Sequence, residues 1–423
     1  MAQGDNGQVA AMDWSFLRTA LRPVVRHNYL CISRFAATTC MTLAMLGGLA
    51  VSTALADGYQ TLFTFPNNVQ LGGNLLDIDS TLYGTTRDTA FSVAVDGSNF
   101  QTLHQLDTTT EGSMFLSLTE VGSKLYGVTQ YASPTNPGKV LSMALDGSDS
   151  QVLSSFPSNS DAPLSPLTLL GSQLFGVYAN GSSVLSLNVD GSNLQTIHAF
   201  NGTDGDFPHG PLLAVGSTLY GTTSAGGQNN VGVIYSVSPN GQNFQVLHQF
   251  DATGNQSYTG LVQIGSQLFG TTNAGGVPLA SDGTIFSMNL DGSNYQMLHS
   301  FADFGTAGYQ LGNLVHSGSL LVGTVSTGGP TGDGLIFSMN SDGSNYQVLH
   351  NFTGYNPAGY LAVDGSTVYG YANPDSGSGG GILFSVTVPE PSSLALGLLA
   401  LTIGIAWRGN VSKEKSAKET NSS

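Results

Sequence analysis

One pattern recurs seven times along the chain, and it limits the available folds more than any other feature. In its clearest copy, residues 216–250, a Leu-Tyr-Gly segment precedes a β-branched segment, an Asn-Gly pair and a segment alternating apolar and polar residues. Asn-Gly accepts the positive φ angles of a tight hairpin turn, and the alternation is typical of a half-buried strand. The Gln-x-Leu-His-x-Phe element and its variants begin at Gln60, Gln101, Gln151, Gln195, Gln245, Gln296 and Gln347.

The spacing and strand content of the repeat predict its architecture. Successive copies begin 41 to 51 residues apart, and a further strand-like segment precedes each Leu-Tyr-Gly element. Four short antiparallel strands are the content of one propeller blade, so seven copies predict an all-β, seven-bladed β-propeller over residues 57–388. A β-helix or another solenoid is the alternative.

The two ends of the array complement each other. Residues 60–65 read as a fourth strand with no strands before it, and the last copy stops after its third strand, at 382–388. An unpaired sheet edge invites aggregation, so we expect the N-terminal strand to complete the seventh blade and close the ring.

The composition of residues 57–388 restricts their partners. Three of these residues are basic and 22 are acidic, a net charge of −19. Phosphate binding needs a basic surface, which argues against nucleic acid as a partner. Both cysteines, Cys31 and Cys40, precede this region, so it contains no disulfide and no cysteine-bound metal.

Residues 1–56 have the pattern of a signal or targeting segment. Four arginines precede an apolar stretch at 35–51, and Ala54-Leu55-Ala56 offers a small-x-small cleavage site. A cytosolic N-terminal helix is the alternative.

Parts of the repeat resemble known propeller families. The Asp-Gly-Ser-Asn turn at 291–294 resembles that of YWTD and TolB-type propellers. The Leu-Tyr-Gly-Thr-Thr segment at 219–223 and the Ala-Gly-Gly link at 225–227, with Asp204-Gly205 and Pro208 upstream, resemble the Gloeo/Verruco (GloVer) extracellular repeat. This resemblance spans 58–388 and is strongest in blades 4 to 6. It implies an exported repeat protein and no established activity.

The C-terminal segment, 389–408, resembles a PEP-CTERM sorting signal. Pro389, Glu390 and Pro391 open a stretch without further charge that ends before Arg408, and a polar tail follows at 409–423. As a helix, 391–407 would span about 25 Å, less than the hydrocarbon core of about 30 Å. The resemblance implies an exosortase-like processing enzyme, at least transient membrane contact, and a location in the envelope, at the cell surface or outside the cell. A permanent anchor is the alternative.

Two repeated features contain residue types that bind metal ions in other proteins. Five histidines occupy one repeat position on successive blades and cannot converge on one ion, so we expect them to pack or to form hydrogen bonds. The Asp-Gly-Ser-Asn turns offer fewer oxygens than Ca²⁺ prefers, and Asx-turn chemistry explains them. We therefore expect no metal and no cofactor. The histidines are His104, His198, His248, His299 and His350.

The least repetitive polar cluster is Asp204, Asp206 and His209, in the link entering blade 4. Such links lie on the propeller face where ligands usually bind. Two carboxylates and an imidazole so close in sequence suit a cation or acid–base chemistry. Because Asp204-Gly205 also matches the repeat, a plain turn is the alternative.

The motifs present favour binding over catalysis. No Ser-His-Asp order, nucleophile elbow, phosphate loop or HExxH motif occurs in the sequence. We expect a non-enzymatic, exported propeller that is a structural or ligand-binding module of the envelope or surface matrix, with surface polysaccharide as a candidate partner. The alternative is a lyase or glycosidase acting on extracellular polysaccharide, since propellers host both classes. A converging acid–base set near the channel would distinguish the two.

Overall fold

A computed structural model describes residues 58–389, apart from 131–135, 157–164, 179–180, 252–253, 276–282, 302–310, 376 and 378. The described residues form 31 β-strands. No helix capable of spanning a membrane occurs among them. The predicted signal segment, 1–56, and the sorting residues Glu390, Pro391 and Arg408 lie outside this described part.

The strands form seven antiparallel blade sheets, one for each predicted blade, and one separate two-stranded sheet. Blade 1 contains β2 (Leu71–Ile78), β3 (Thr81–Thr86), β4 (Thr89–Ala94) and β5 (Gln101–Gln105). Blade 2 contains β6 (Phe115–Val121), β7 (Lys124–Thr129), β8 (Lys139–Ala144) and β9 (Gln151–Ser155). Blade 3 contains β10 (Thr168–Leu170), β11 (Gln173–Tyr178), β12 (Ser183–Asn188) and β13 (Gln195–Ala199). Blade 4 contains β14 (Asp206–Val215), β15 (Thr218–Ala225), β16 (Val233–Val237) and β17 (Gln245–Gln249).

The remaining strands complete the ring. Blade 5 contains β19 (Val262–Ile264), β20 (Gln267–Thr272), β22 (Thr284–Asn289) and β23 (Gln296–Ser300), beside a small ladder of β18 (Gly254–Asn255) and β21 (Ala274–Gly275). Blade 6 contains β24 (Val315–Ser317), β25 (Leu320–Val325), β26 (Leu335–Asn340) and β27 (Gln347–Asn351). Blade 7 contains β28 (Tyr355–Pro357), β29 (Ala362–Asp364), β30 (Thr367–Pro374), β31 (Ile382–Thr387) and the N-terminal β1 (Tyr59–Thr64).

Blade 7 joins the two ends of the repeat array, as the sequence predicts. β1 pairs antiparallel with β31, and Gln60 lies opposite Ser385. β31 in turn pairs with β30, so the N-terminal strand is the outer strand of a complete blade. The seven-bladed, all-β propeller is therefore confirmed for the described residues. β31 ends at Thr387, one residue before the predicted end.

The glycine of the Leu-Tyr-Gly element makes room for an aromatic ring. Gly270 on β20 lies directly opposite Phe286 on β22, whose side chain is fully buried. A Cβ atom at Gly270 would lie 2.5 Å from the Cζ atom of Phe286. The equivalent glycines face Phe91, Tyr235, Phe337 and Phe384. In these five blades the glycine leaves the space that an aromatic ring of the core occupies and that a side chain would need.

The first strand of each blade lies nearest the propeller axis. β2 contacts β6 and β29, and β24 contacts β19 and β29, so first strands of neighbouring blades meet. Side-chain hydroxyls link the blades there: Thr119 donates to the Leu167 carbonyl at 2.8 Å, and Thr222 donates to the Thr259 carbonyl at 2.8 Å. The segments that enter these first strands surround one end of the axis.

Candidate functional site

A cavity of the described residues lies where blades 5, 6 and 7 begin. Its volume is about 600 Å³, within the range usual for small-molecule sites. The segments that enter the first strands of the three blades form it, together with residues at the ends of β20, β25 and β30. Its lining residues are Tyr258, Thr259, Asn273, Leu311, Gly312, Asn313, Thr324, Ser326, Asn356, Pro357, Ala358, Gly359, Tyr360 and Asn373.

Backbone and amide contacts fix the base of this cavity. Asn313 accepts a hydrogen bond from the Gly260 N–H at 2.6 Å, and its own N–H donates to the Gly359 carbonyl at 2.7 Å. One asparagine thus ties blade 6 to blades 5 and 7. Gly312 is required here, because a Cβ atom at this position would lie 2.6 Å from the Cα atom of Gly359.

A second asparagine holds the cavity to blade 1. The Asn373 amide accepts from the Leu71 N–H at 2.9 Å and donates to the Leu71 carbonyl at 3.0 Å. Its hydrogen bonds are therefore made within the protein. Asn313 and Asn373 are consequently framework residues rather than free groups for a ligand.

Other polar groups of the cavity are available to a ligand. The side-chain oxygen of Asn273 is buried and has no hydrogen-bond partner among the described residues. A buried acceptor without a partner costs free energy, and a ligand hydroxyl would satisfy it. Burial raises the pKa of Tyr360 to about 12, although a hydrogen bond with Asn313 opposes the shift, so its phenol is neutral at physiological pH. Tyr258 exposes 42% of its surface at the edge of the cavity.

Within the described part of the chain the cavity carries no formal charge, since none of its lining residues is Asp, Glu, His, Lys or Arg. It offers amides, hydroxyls and two phenol rings instead. It therefore suits a neutral ligand that both donates and accepts hydrogen bonds.

The three residues of the predicted site have separate neighbours. One carboxylate oxygen of Asp204 accepts from the Asn201 N–H at 2.9 Å, and the other lies 3.2 Å from Nε2 of His198. The Asp206 carboxylate accepts from the Phe207 N–H at 2.9 Å. The His209 ring packs edge-on against Tyr258, with 4.8 Å between ring centroids. Within the described residues no group of three His, Cys, Asp or Glu side chains is arranged to hold a metal ion.

The repeated histidines pack between blades at the outer edge of the ring. His248 stacks on Tyr295 of the next blade at 3.7 Å, and His350 stacks on Tyr59 of β1 at 3.7 Å. His104 differs, because its ring contacts the Glu111 carboxylate at 2.9 Å. Burial lowers the pKa of His198 and of His248, although a nearby aspartate opposes the shift in each case. These contacts give the histidines a packing role.

The Asp-Gly-Ser-Asn turns satisfy their own aspartates. Asp291 accepts from the Ser293 hydroxyl at 2.6 Å and from the Ser293 N–H at 2.9 Å. These bonds lower the pKa of Asp291. Gly292 has φ +86° and lies against the Leu247 carbonyl of the neighbouring blade. The turn is thus an Asx turn that also contacts the adjacent blade.

Sequence reasoning missed the cavity, although one repeat position contained a signal. The residue before the first-strand leucine varies among the blades, with five residue types in seven positions: Asn74, Ser117, Pro166, Pro211, Gly260, Asn313 and Tyr360. Two of these, Asn313 and Tyr360, line the cavity. Variation at an otherwise regular position was the available clue.

Comparison with solved structures supports the fold. The lyase in "Oligogalacturonate lyase in complex with manganese" is 14% identical with a TM-score of 0.56, and the match covers 78% of this chain and 93% of that one. An extracellular domain of a putative one-component system from B. thetaiotaomicron is 10% identical with a TM-score of 0.52, and the match covers 77% of this chain and 39% of that one. YCF48 from Cyanidioschyzon merolae is 11% identical with a TM-score of 0.51, covering 78% and 98% of the two chains. At these identities the likeness concerns the fold alone.

Comparison of sequences identifies the repeat itself. No curated protein matches the chain. A family model does match residues 174–384, which run from the second strand of blade 3 to the third strand of blade 7. Residues 174–384 therefore carry the Gloeobacter/Verrucomicrobia repeat.

Proposed function

We propose that this protein is an exported, non-enzymatic propeller of the cell envelope or surface matrix that binds a ligand in the cavity of blades 5 to 7. The observation that carries the proposal is the lining of this cavity of about 600 Å³, which is polar, aromatic and uncharged. A few fixed polar groups among apolar surfaces are typical of small-molecule sites.

The composition of the cavity favours binding over the alternative of a polysaccharide lyase or glycosidase. Those reactions need a proton acceptor or donor beside the scissile bond. Among the residues that the structure describes, the lining contains no carboxylate, imidazole or amine. Tyr360 is its half-buried phenol, and burial raises the pKa of this group to about 12, which makes it a poor base at neutral pH.

Ligand-induced stabilisation of the full-length chain tests the binding function. A bound ligand raises the melting temperature of the folded state by mass action. We expect such a rise with at least one compound of a mixed saccharide and peptide library, and we expect Asn273→Ala to remove it. Asp204→Ala is the matched control and should leave it unchanged. A rise that depends on Asp204 and not on Asn273 would place the site at the predicted cluster instead.

For sorting, we propose that an exosortase-like enzyme processes the segment that begins at Pro389. The Val388 N–H donates to the Ser366 carbonyl at 2.7 Å, the last backbone bond of the described chain. Pro389 has no N–H to extend a ladder, so the Pro-Glu-Pro residues follow directly on the folded domain. Their resemblance to the PEP-CTERM signal supports cleavage near this point.

Mass spectrometry of the mature protein from its host tests this processing. We expect the chain to end near Pro391, and we expect Glu390→Ala to prevent the cleavage. A mature C-terminus at Ser423 would contradict processing and leave a membrane anchor. Detection of residues 1–56 in the mature protein would contradict export through a cleaved signal.

A further inference from the structure

Resting on the binding function proposed above, we infer that the ligand is an uncharged glycan chain that extends from the cavity onto an aromatic rim formed by Phe207, His209 and Tyr258. Tyr258 belongs to both: it lines the cavity and packs against His209, which is two residues from Phe207 on β14. A ligand larger than one small molecule is needed to cover both parts.

Phe207 presents an apolar ring to solvent in a costly conformation. Its surface is 43% exposed, and its φ angle is +50°. A left-handed conformation is unfavourable for a bulky residue, because its Cβ atom comes too close to the backbone. Folding gains little from so exposed a ring, so the cost is not offset by burial in the core.

Neighbouring groups hold Phe207 in that conformation. Its N–H donates to the Asp206 carboxylate at 2.9 Å and to the Ser182 hydroxyl at 3.2 Å. Its carbonyl accepts from the Ser224 hydroxyl at 3.2 Å. These contacts fix the backbone and leave the side chain exposed. Strain maintained by surrounding contacts is characteristic of functional positions.

The rim lies on the longest first strand of the described residues. β14 in blade 4 has ten residues, whereas β2 in blade 1 has eight and β10 and β19 in the neighbouring blades have three each. The additional residues pair with β15 through Pro208 opposite Thr223 and His209 opposite Thr222. Phe207 and His209 are separated by about 7 Å along this strand, given a rise of about 3.3 Å per residue.

His209 positions the second exposed ring of the rim. It packs edge-on against Tyr258 at an interplanar angle of 69°. Burial lowers the pKa of His209, so its imidazole adds no positive charge at neutral pH. The Tyr258 ring, 42% exposed, is held between this imidazole and the cavity.

The combined surface matches the chemistry of a neutral sugar chain. A pyranose ring has apolar C–H faces that pack on aromatic rings and hydroxyls that both donate and accept hydrogen bonds. Phe207 and Tyr258 supply the aromatic faces, and the free oxygen of Asn273 accepts from a hydroxyl. An anionic chain fits poorly, because residues 57–388 carry a net charge of −19 and the cavity holds no basic residue.

Calorimetric titration of the full-length chain in mild detergent tests this inference. The probes are cellohexaose, maltohexaose, laminarihexaose and mannohexaose, with hexagalacturonate as the anionic counterpart. We expect at least one neutral hexamer to bind, and Phe207→Gly or Tyr258→Ala to weaken it about tenfold or more. Tyr258→Phe should retain binding, and Val348→Ala, on the outer strand of blade 6, is the control.

Phe207→Gly also separates a binding role from a structural one. Glycine accepts φ +50° without strain, so the melting temperature of the Phe207→Gly variant should equal or exceed that of the parent, while its affinity for the neutral hexamer falls. Binding of hexagalacturonate alone, lost in Asn273→Ala, would overturn the neutral-glycan inference and leave the cavity as a binding site. If no probe binds, or if binding is insensitive to Phe207 and Tyr258, the glycan inference is overturned. If, in addition, no compound of the saccharide and peptide library raises the melting temperature, the proposed binding function is overturned as well.

Discussion

Replacement of Gly270 by alanine tests whether the repeated glycine is kept for packing. The new Cβ atom would lie 2.5 Å from Cζ of Phe286 and 2.9 Å from Cδ2 of Leu261. Both partners are at least nine-tenths buried, and Phe286 has no exposed surface. Overpacking of this kind costs about 1–3 kcal/mol, because the neighbours must leave their preferred rotamers.

A second substitution isolates the clash. Blade 3 places Leu185, not an aromatic residue, opposite its glycine, Gly176, so Phe286→Leu copies a pairing already present in the chain. Phe286→Leu alone should lower the free energy of unfolding by about 1–2 kcal/mol through lost burial. The double variant with Gly270→Ala should lose about 1 kcal/mol or more less than the sum of the two single losses, because the alanine methyl occupies space that the ring vacates.

Thermal unfolding measures these differences. For a domain of about 330 residues the entropy of unfolding is about 0.7 kcal/mol per kelvin, so 2 kcal/mol lowers the melting temperature by about 3 °C. Gly72→Ala is the matched control, because its nearest contact would be the Phe115 carbonyl at 3.9 Å. Equal effects of the two alanine substitutions, or strict additivity in the double variant, would refute the packing argument.

Two further predictions concern pH and the turns. Burial lowers the pKa of His198 and of His248 below the ordinary 6.5, so just below that pH the unfolded chain binds more protons than the folded chain does. The free energy of unfolding should therefore fall as the pH is lowered from 7 to 5.5. Above pH 7.5 it should not depend on these two groups. Urea midpoints at several pH values measure this, and His248→Gln should reduce the slope; a midpoint that rises on acidification would contradict it. Asp291→Asn should change the melting temperature by less than about 1 °C because asparagine forms the same turn, whereas Gly292→Val should lower stability by at least about 1 kcal/mol at φ +86°. A calcium-dependent melting temperature that Asp291→Asn abolishes would instead identify the turns as metal sites.

The fold was predictable because its determinants are local and repeated. Alternating apolar residues specify strands, Asn-Gly and Asp-Gly specify turns, and seven copies of each specify the blades. Closure was predictable because a last strand at the N-terminus matches a missing last strand at the C-terminus. The extra strands β18, β21 and β28 were missed, since they lie in the links where the repeat is least regular.

The cavity was not predictable, because it depends on side chains that the repeat does not share. Asn273, Asn313 and Tyr360 belong to three consecutive blades and meet only when these blades pack side by side. The sequence directed attention to charged residues instead, namely Asp204, Asp206 and His209. The strain at Phe207 has no sequence signal. It depends on hydrogen bonds between its backbone and the side chains of Ser182 and Ser224, which lie far from it in sequence or on another strand.

Closure of the ring is the central claim, because blade 7 supplies one wall of the cavity. An engineered disulfide between positions 60 and 385 tests this closure most directly, because Gln60 lies opposite Ser385. The Cα atoms of antiparallel partners are about 4.5–5.5 Å apart, a distance that a disulfide can bridge. In a chain with Cys31 and Cys40 replaced by serine, Gln60→Cys with Ser385→Cys should form an intramolecular disulfide, detected by mass spectrometry of unreduced peptides. Gln60→Cys with Ser338→Cys, at the equivalent position of blade 6, should not. An intramolecular link in the first variant and none in the second is the predicted result; only intermolecular links, or equal linking in both variants, would contradict the closed ring.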